Sequence, residues 1–230
     1  MIRIHGFNKL TLLDYPGKVA CTLFLGHCNF RCPYCHNGNL VLHPEQEPVI
    51  PMEEILGTLK KRAKILDGVC VSGGEPTLNP RLPWLMENIR RLGLAVKLDT
   101  NGSNPEMVEQ LVGDGLVDYV AMDIKNSPRR YEETAGVKLD VTRINDTVEF
   151  LRKGPVDYEF RTTVTREFHT REDILEIGKW LAGSRRYFLQ AYRESDQMIG
   201  SGFSGYSREQ LENFRLLLLD KIGEVGIRGI

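Results

Sequence analysis

The chain has 230 residues, of which 41% are hydrophobic and 27% are charged, and its formal net charge is −1. This length is enough for one sizeable core, so we expect a single domain over residues 1–230. The balanced charge argues against a broad nucleic-acid surface. No apolar run approaches the roughly 20 residues of a membrane span, and the N-terminus lacks a signal-peptide pattern. We therefore expect a cytoplasmic protein with no membrane or nucleic-acid partner.

Short apolar runs alternate with amphipathic stretches along the chain, which is typical of α/β proteins. The apolar runs predict strands over Val19–Leu25, Val69–Ser72, Ala95–Asp99, Tyr119–Ile124, Tyr158–Val164 and Tyr187–Tyr192. Helices are predicted to begin near Met52, Arg81, Pro105, Val141, Arg171 and Ser207, the last with an apolar face that extends to Ile222.

This alternation predicts a parallel sheet with right-handed crossovers over residues 19–222. A flat doubly wound sheet and a partial barrel would both satisfy it, and the strand runs alone do not separate the two. Residues 1–18 are predicted to form an extended N-terminal segment with a turn at residues 14–17.

The five cysteines are unevenly distributed. Cys28, Cys32 and Cys35 lie close together directly after the first predicted strand, whereas Cys21 and Cys70 lie inside apolar runs. An odd number of cysteines without a secretion signal is a poor disulfide framework, so the close group indicates metal binding. Cys21 and Cys70 are predicted to be small buried core residues.

Thiolates are soft ligands that suit both iron–sulfur clusters and zinc. Cys28, Cys32 and Cys35 could hold three irons of a cubane and leave the fourth iron open to a small molecule. The alternative is a structural zinc with His36 as the fourth ligand, because such sites close at four ligands. The spacing is unusual for a zinc ribbon and no second Cys-x-x-Cys pair follows, so the pattern favours a cluster.

Further polar strings follow the ends of later predicted strands. They are Ser72-Gly73-Gly74-Glu75-Pro76, Asp99-Thr100-Asn101-Gly102, Asp123-Ile124-Lys125 and Gln190-Ala191-Tyr192-Arg193. Each string alone has a plain structural explanation, such as a glycine turn or a solvated ion pair. Their shared position is informative, since active sites of parallel α/β barrels collect at the carboxyl ends of the strands. Arg161 lies on a predicted strand and needs a partner or an anion, whereas His169 is predicted to face solvent from a loop.

The cysteine string resembles a known signature. Cys28-x3-Cys32-x2-Cys35, with Tyr34 before the last cysteine, resembles the radical S-adenosylmethionine (SAM) superfamily, and residues 31–37 are similar to the glycyl-radical-enzyme activases. Residues 6–20 and 186–190 resemble the branch named anaerobic ribonucleoside-triphosphate reductase activating proteins. The resemblance implies a partial (β/α)6 barrel that carries one [4Fe–4S] cluster on the three cysteines and SAM on the open iron.

The resemblance also implies roles for the other strings. Gly73, Gly74 and Glu75 would hold the methionine amino group of SAM, Lys125 its carboxylate, and Tyr34 would flank the adenine. Further candidates for SAM contacts are Asn101, Asp99, Arg161 and Arg193, the last with help from Gln190 and at a position where the pyruvate formate-lyase activase has a histidine. Asp99 and Asp123 resemble a monovalent-cation site beside SAM. No catalytic residue beyond the cluster and SAM ligands is implied.

In such enzymes the reduced cluster cleaves SAM to a 5′-deoxyadenosyl radical that abstracts hydrogen. The implied partners are a glycyl radical enzyme, namely an anaerobic ribonucleotide reductase, and a low-potential electron donor such as flavodoxin or ferredoxin. Two alternatives stay open. One is a small-molecule radical SAM enzyme such as a 7-carboxy-7-deazaguanine synthase, and the other is a non-catalytic metal-binding module.

Overall fold

The computed structural model describes residues 2–230, in which one mixed sheet of eight strands follows the order of the chain. The strands are β1 Ile4–Thr11, β2 Ala20–Leu25, β3 Gly68–Gly73, β4 Ala95–Thr100, β5 Tyr119–Asp123, β6 Asp157–Val164, β7 Arg186–Ala191 and β8 Glu224–Arg228. β1 is antiparallel to β2, and every later neighbour is parallel. All carboxyl ends from β2 to β8 therefore meet at one edge of the sheet.

Amphipathic helices connect the parallel strands. They are α1 Gly38–Leu42, α2 Met52–Arg62, α3 Leu82–Arg90, α4 Pro105–Gly113, α5 Tyr131–Ala135, α6 Val141–Arg152, α7 Arg171–Trp180 and α8 Arg208–Leu216. α3 illustrates the pattern, since Leu82, Leu85, Met86 and Ile89 share one helix face and are fully buried. β3 and β5 consist mostly of buried apolar residues, as expected for strands covered on both faces.

The starts of α7 and α8 carry caps that satisfy free backbone amides. Thr170 and Asp173 form a reciprocal capping box at the start of α7, and Ser207 and Gln210 form another at the start of α8. These contacts fix where each helix begins relative to the strand before it. The loops at the carboxyl edge of the sheet are therefore held at both ends.

The predicted α/β fold with a mostly parallel sheet is confirmed. The extended N-terminal segment is β1, which pairs along β2 with shifts in register. Within residues 2–230 no pairing joins β1 to β8, so the sheet is open, and its sequential strand order is compatible with a partial barrel.

One prediction about the end of the chain is wrong. The last helix was expected to run to Ile222, but α8 ends at Leu216, and β8 adds a strand parallel to β7 that the sequence pattern did not predict. Leu218 and Ile222 are still buried, so the apolar periodicity was real. It continues through turns instead of a helix.

No helix within residues 2–230 is both long enough and apolar enough to cross a bilayer.

Candidate functional site

A cavity of about 400 Å³ opens at the carboxyl edge of the sheet. The predicted site residues that line it are Cys28, Cys32, Tyr34, Cys35, Gly73, Gly74, Asp99, Asn101, Asp123, Lys125 and Arg161. Strings that lie far apart in the sequence thus converge on one pocket. Two predicted residues, Glu75 and Arg193, are not among its lining residues.

The cysteine loop is held by backbone and side-chain hydrogen bonds. The Arg31 amide donates to the carbonyl of Ala135 at 2.8 Å, and the Arg31 guanidinium donates to the carbonyl of Cys28 at 2.6 Å. The Phe30 amide lies 3.3 Å from Cys28 Sγ. These contacts connect the cysteine loop to its own backbone and to the segment after β5.

Burial keeps the cysteine side chains protonated in the cluster-free protein. It raises the pKa of Cys28 to about 12 and that of Cys32 to about 11, and it raises the pKa of Cys35 as well. The charge of nearby Lys125 lowers all three pKa values and only partly offsets the effect of burial. Iron would therefore displace protons from these sulfurs on binding. The three thiols provide the donor set that a [4Fe–4S] cluster with one open iron needs.

The two remaining cysteines have a different setting. Cys21 and Cys70 are fully buried on β2 and β3, as predicted, and all five cysteines are free. Burial raises the pKa of Cys21 to about 12, so its thiol also stays protonated. Neither residue lines the pocket.

The glycine loop after β3 packs directly on the cysteine loop. The Gly74 amide donates to the Leu25 carbonyl at 2.8 Å, and the Glu75 amide donates to the His27 carbonyl at 2.7 Å. A Cβ on Gly73 would lie 2.1 Å from the Leu25 carbonyl oxygen, and one on Gly74 would lie 1.9 Å from that of His27. The glycines are therefore required for the approach of two loops to each other, and this approach shapes the pocket wall.

Glu75 is buried behind that wall and does not line the cavity. Its side chain is buried, and its two oxygens accept hydrogen bonds from the Thr77 amide, the Thr77 and Thr100 hydroxyls and the Asn101 amide at 2.6–3.1 Å. The carboxylate thus joins the loop after β3 to the loop after β4. Glu75, for which the resemblance implied a SAM contact, therefore holds the two loops together in the structure.

Acidic and basic side chains alternate across the pocket wall. Arg161 Nε donates to Asp123 Oδ1 at 2.8 Å, and its Nη1 lies 3.5 Å from Asp99 Oδ2. Lys125 Nζ lies 3.0 Å from Asp123 Oδ2. Lys97, on the same face of β4 as Asp99, contacts the other Asp99 oxygen. The order Lys97, Asp99, Arg161, Asp123 and Lys125 forms what we call the ion-pair chain.

These contacts keep the side chains of the ion-pair chain ionised. Burial alone would raise the pKa of Asp99 and of Asp123, but Arg161 and the neighbouring lysines outweigh burial and hold both pKa values below their usual range. Burial would likewise lower the pKa of Lys125, but Asp123 holds it well above its usual value. Lys125 therefore presents a permanent positive charge to the cavity.

Aromatic rings enclose Tyr34. Its ring centroid lies 5.7 Å from that of Phe168, 6.1 Å from that of His169 and 6.4 Å from that of Phe203. The ring is 5% exposed, although it lines the cavity. Packing from three sides holds it in one orientation, as a flat surface at the pocket wall.

The far wall of the pocket comes from β7 and the missed strand β8. Gln190, Ala191, Arg228 and Gly229 line it there. Arg193 is exposed, and its Nε donates to the Gly229 carbonyl at 3.0 Å. The structure therefore does not bring Arg193 to the cavity, and it gives this part of the wall to Gln190 and Arg228.

Arg228 has a fixed position in that wall. Its guanidinium donates to both carboxylate oxygens of buried Glu159, at 2.6 and 2.8 Å, and it lies 3.6 Å from the ring centroid of Phe188. Tyr119 donates to the same carboxylate at 2.7 Å. The pairing neutralises Glu159 inside the sheet and fastens β8 to β6.

His169 was predicted to face solvent, and this prediction is wrong. The side chain is fully buried, its Nε2 lies 2.8 Å from the Lys125 carbonyl, and its Nδ1 accepts from the Thr165 amide at 3.1 Å. This arrangement places the proton on Nε2, which donates to Lys125. The imidazole therefore connects the loop after β6 to the backbone of a pocket residue. A tertiary contact of this kind leaves no periodic signal in its own segment.

Burial lowers the pKa of His169 to about 4 from 6.5. Between these values the unfolded chain binds more protons than the folded protein, so this residue makes stability fall as pH drops from 6.5 to 4. A His169→Asn variant should lose about 1–3 kcal/mol at pH 7. Its deficit relative to wild type should shrink as pH falls through this window.

Urea unfolding of the cluster-free proteins at several pH values measures this deficit. His43 is exposed and lies 3.7 Å from Glu45 at the surface, so His43→Asn is the matched control and should unfold like wild type. A His169→Asn deficit that stays constant from pH 7 to pH 4 would refute the buried neutral imidazole.

The sequence pattern did not identify two pocket residues, Asn37 and Arg228, or the buried Lys97 beside the pocket. Asn37 Nδ2 donates to the Gly73 carbonyl at 2.9 Å, which binds the cysteine loop to the glycine loop. Lys97 had a usable signal, because it stands in an apolar strand two residues before Asp99 and so shares its face. Arg228 had none, since its strand was not predicted.

The family of the chain follows from comparison with known proteins. The model of the radical SAM superfamily matches residues 22–181, which include the cysteine loop, the glycine loop and the ion-pair chain. The chain therefore belongs to the radical SAM superfamily. Membership implies a [4Fe–4S] cluster and SAM, and the donor set and shape of the pocket fit both.

Two relatives within this superfamily differ in how much of the chain they match. A Methanocaldococcus jannaschii protein that carries the provisional name glycyl-radical enzyme activating enzyme is 33% identical over 198 residues, 84% of this chain and 81% of that protein. A 7-carboxy-7-deazaguanine synthase of Neisseria meningitidis is 31% identical over 129 residues, which span 56% of this chain and 54% of the synthase. The chain thus resembles the first over most of its length and the second over about half.

A solved structure shares the fold. The crystal structure of Streptococcus suis SuiB superimposes with a TM-score of 0.70 at 16% identity and covers 89% of this chain. This chain spans 47% of SuiB. At this identity the likeness supports the architecture alone.

Proposed function

We propose that the protein is a glycyl-radical-enzyme activating enzyme whose partner is an anaerobic ribonucleotide reductase. The observation that carries this proposal is the convergence of Cys28, Cys32 and Cys35 with Lys125 and the glycine loop on one cavity. Thiols on one side and a fixed ammonium on the other suit a ligand that is chelated by metal and carries a carboxylate. SAM is such a ligand.

In this proposal the three cysteines hold the [4Fe–4S] cluster. When bound, the cluster and SAM supply reductive cleavage of the sulfonium C–S bond and a hydrogen-abstracting radical. The protein's own residues fix the geometry. Arg31 and the glycine loop hold the cysteine loop in place, and the aromatic residues around Tyr34 keep water from that side of the cavity.

Lys125 would bind the methionine carboxylate of SAM, since its ammonium lines the cavity, stays charged and is directed by Asp123. The backbone of Gly73 and Gly74 would receive the amino group, and Glu75 would act through that loop. Tyr34 offers a rigid ring for the adenine, and Asn101, whose Nδ2 donates to Asn29 at 2.9 Å, lies beside the cysteine loop. No protein acid or base is needed for the radical step.

The class of the partner is inferred from the relative that is named as an activating enzyme. Its identity as an anaerobic ribonucleotide reductase is inferred from the resemblance of residues 6–20. The relative named as an activating enzyme matches along most of both chains, whereas the synthase match stops at about half. A glycine residue suits the reaction, since hydrogen transfer from its Cα to the adenosyl radical gives 5′-deoxyadenosine and a stabilised glycyl radical. The electron would come from a flavodoxin or ferredoxin, and the reducing cytoplasm would keep the thiols available.

Electron paramagnetic resonance tests this assignment. Reconstituted protein, reductant and SAM are mixed anaerobically with an anaerobic ribonucleotide reductase, and a glycine-centred doublet on the reductase is expected. A reductase with its radical glycine changed to alanine is the control and should give no doublet. SAM cleavage without a doublet, together with turnover of 6-carboxytetrahydropterin, would favour the synthase activity instead.

A Lys125→Ala variant should bind SAM about 10- to 100-fold more weakly, because a hydrogen bond between charged groups contributes about 1.5–3 kcal/mol. Equilibrium dialysis of the reconstituted proteins with radiolabelled SAM measures this change. Lys60 is exposed on α2, so Lys60→Ala is the matched control and should bind SAM normally. Unchanged SAM affinity in Lys125→Ala would contradict the carboxylate assignment.

A further inference from the structure

Lys97 is a charged residue in the interior of the sheet. Its side chain is 1% exposed, its ammonium contacts Asp99, and Cys70 Sγ lies 3.8 Å away. Lysine is almost never fully buried unless its charge is paired. The same neighbourhood contains Asp99 and Asp123, the two carboxylates that resemble a monovalent-cation site. The position of Lys97 therefore bears on whether such a cation fits.

The charges around these carboxylates are already balanced by the protein. Asp99 contacts Lys97 and Arg161, and Asp123 contacts Arg161 and Lys125. The ion-pair chain thus contains three positive and two negative side chains. An added alkali cation would enter an excess of positive charge, which Coulomb's law opposes most strongly in a buried site.

The neighbouring charges do not reverse this balance. Glu159 lies next to Asp123 and Arg161 in the sheet, but its charge is neutralised by Arg228, which donates to both of its oxygens. Asp99 and Asp123 therefore do not fit a bound monovalent cation.

We propose that the Lys97 ammonium takes the place of that cation, so that this chain holds its pocket charges in position without potassium or sodium. A compact ammonium with three donors is the side chain most similar to an alkali cation in charge and size. Because it is covalently attached, its position does not depend on the ions in solution. Lys97 is a positioning residue, since it acts on Lys125 through Asp99, Arg161 and Asp123.

Thermal unfolding of the cluster-free protein tests the proposal without SAM. Melting temperatures are compared in potassium, sodium and tetramethylammonium chloride at equal ionic strength, since the last cation is too large for the site. Wild type should melt at the same temperature in all three. Lys97→Ser should melt about 10 °C lower in tetramethylammonium, because one partner of a buried ion pair is removed. Potassium or sodium should restore part of this loss.

Two variants isolate the cause. Lys97→Ser combined with Asp99→Asn removes the carboxylate as well and should lose the selective recovery by small cations. Lys60→Ser removes an exposed lysine and should behave as wild type in every salt. If Lys97→Ser does not fold, Lys97→Gln, which keeps the length of the side chain and offers an amide oxygen, replaces it in the same comparison.

Two results would overturn the proposal. One is selective stabilisation of wild type by potassium or sodium, which would mean that the native site takes an alkali cation. The other is a folded Lys97 variant whose melting temperature is equally low in all three salts, which would make Lys97 a packing residue only.

A second readout rests on the proposed function, namely SAM binding by the reconstituted protein. Wild type should bind SAM equally in potassium and tetramethylammonium, whereas Lys97→Ser should bind about tenfold more weakly in tetramethylammonium. If wild type binds no SAM in any salt, the proposed function fails. The thermal comparison then still decides the role of Lys97.

Discussion

A Cys32→Ala variant is expected to lose its iron–sulfur cluster and all SAM cleavage together. Cys32 is buried at the pocket wall, and the open-iron arrangement uses each of the three thiols once. With two thiols left, Cys28 and Cys35 cannot hold a cubane at three corners. Iron and sulfide analysis after anaerobic reconstitution measures the cluster, and chromatographic detection of 5′-deoxyadenosine measures cleavage.

Cys21→Ala is the matched control for this experiment. Cys21 is also fully buried, but it lies on β2 away from the pocket. The variant should lose only about 1 kcal/mol of stability through the small cavity it leaves, and it should keep cluster and activity. A Cys32→Ala protein that retains cluster content and cleaves SAM would refute the ligand assignment.

A Glu75→Gln variant should be destabilised by about 3 kcal/mol and should bind SAM poorly. The buried carboxylate accepts hydrogen bonds from four donors, and the substitution replaces one of its two acceptor oxygens by an NH2 donor group. The new amide group would face an N–H or hydroxyl donor from Thr77, Thr100 or Asn101. The loops after β3 and β4 would separate, and the pocket wall would lose its shape. Urea unfolding of the cluster-free protein measures the first effect.

Glu106→Gln provides the comparison for Glu75→Gln. Glu106 is exposed in the first turn of α4 and pairs with Arg143 at the surface, so the loss should be below about 1 kcal/mol. If Glu75→Gln is as stable as Glu106→Gln, the carboxylate does not clamp the two loops. If it is unstable and yet binds SAM with wild-type affinity, the clamp does not shape the pocket.

Much of the pocket was predictable because the rules behind it are local or topological. Cysteine spacing indicated a cluster, and strand–helix alternation indicated that Gly73, Asp99 and Lys125 would meet at the carboxyl edge of one sheet. The structure brings these residues to one cavity. The direction of each strand is sufficient for this inference, and no side-chain contact has to be known.

The parts that were missed depend on partners distant in the sequence. β8 is a short segment, Glu224–Arg228, that is a strand because it pairs with β7. His169 has the sequence context of a surface loop, and it is buried because the Lys125 carbonyl needs a donor. Glu75 accepts four hydrogen bonds that join two loops adjacent only in the folded chain, and its own segment gives no sign of these partners.

Charge complementarity was the least predictable feature. The resemblance to the activases suggested a cation site at Asp99 and Asp123. In the structure these carboxylates are paired with Lys97 and Arg161. Their side chains lie in the apolar alternation of β4 and β6, where a sequence pattern alone does not identify the partner of a buried charge.

Formation of 5′-deoxyadenosine is the most direct test of the account. The protein is reconstituted anaerobically with iron and sulfide, reduced with dithionite and supplied with SAM, and the product is quantified by chromatography. Wild type should form 5′-deoxyadenosine, and Cys32→Ala should form none. A wild-type protein that retains zinc, forms no cluster and produces no 5′-deoxyadenosine would contradict it.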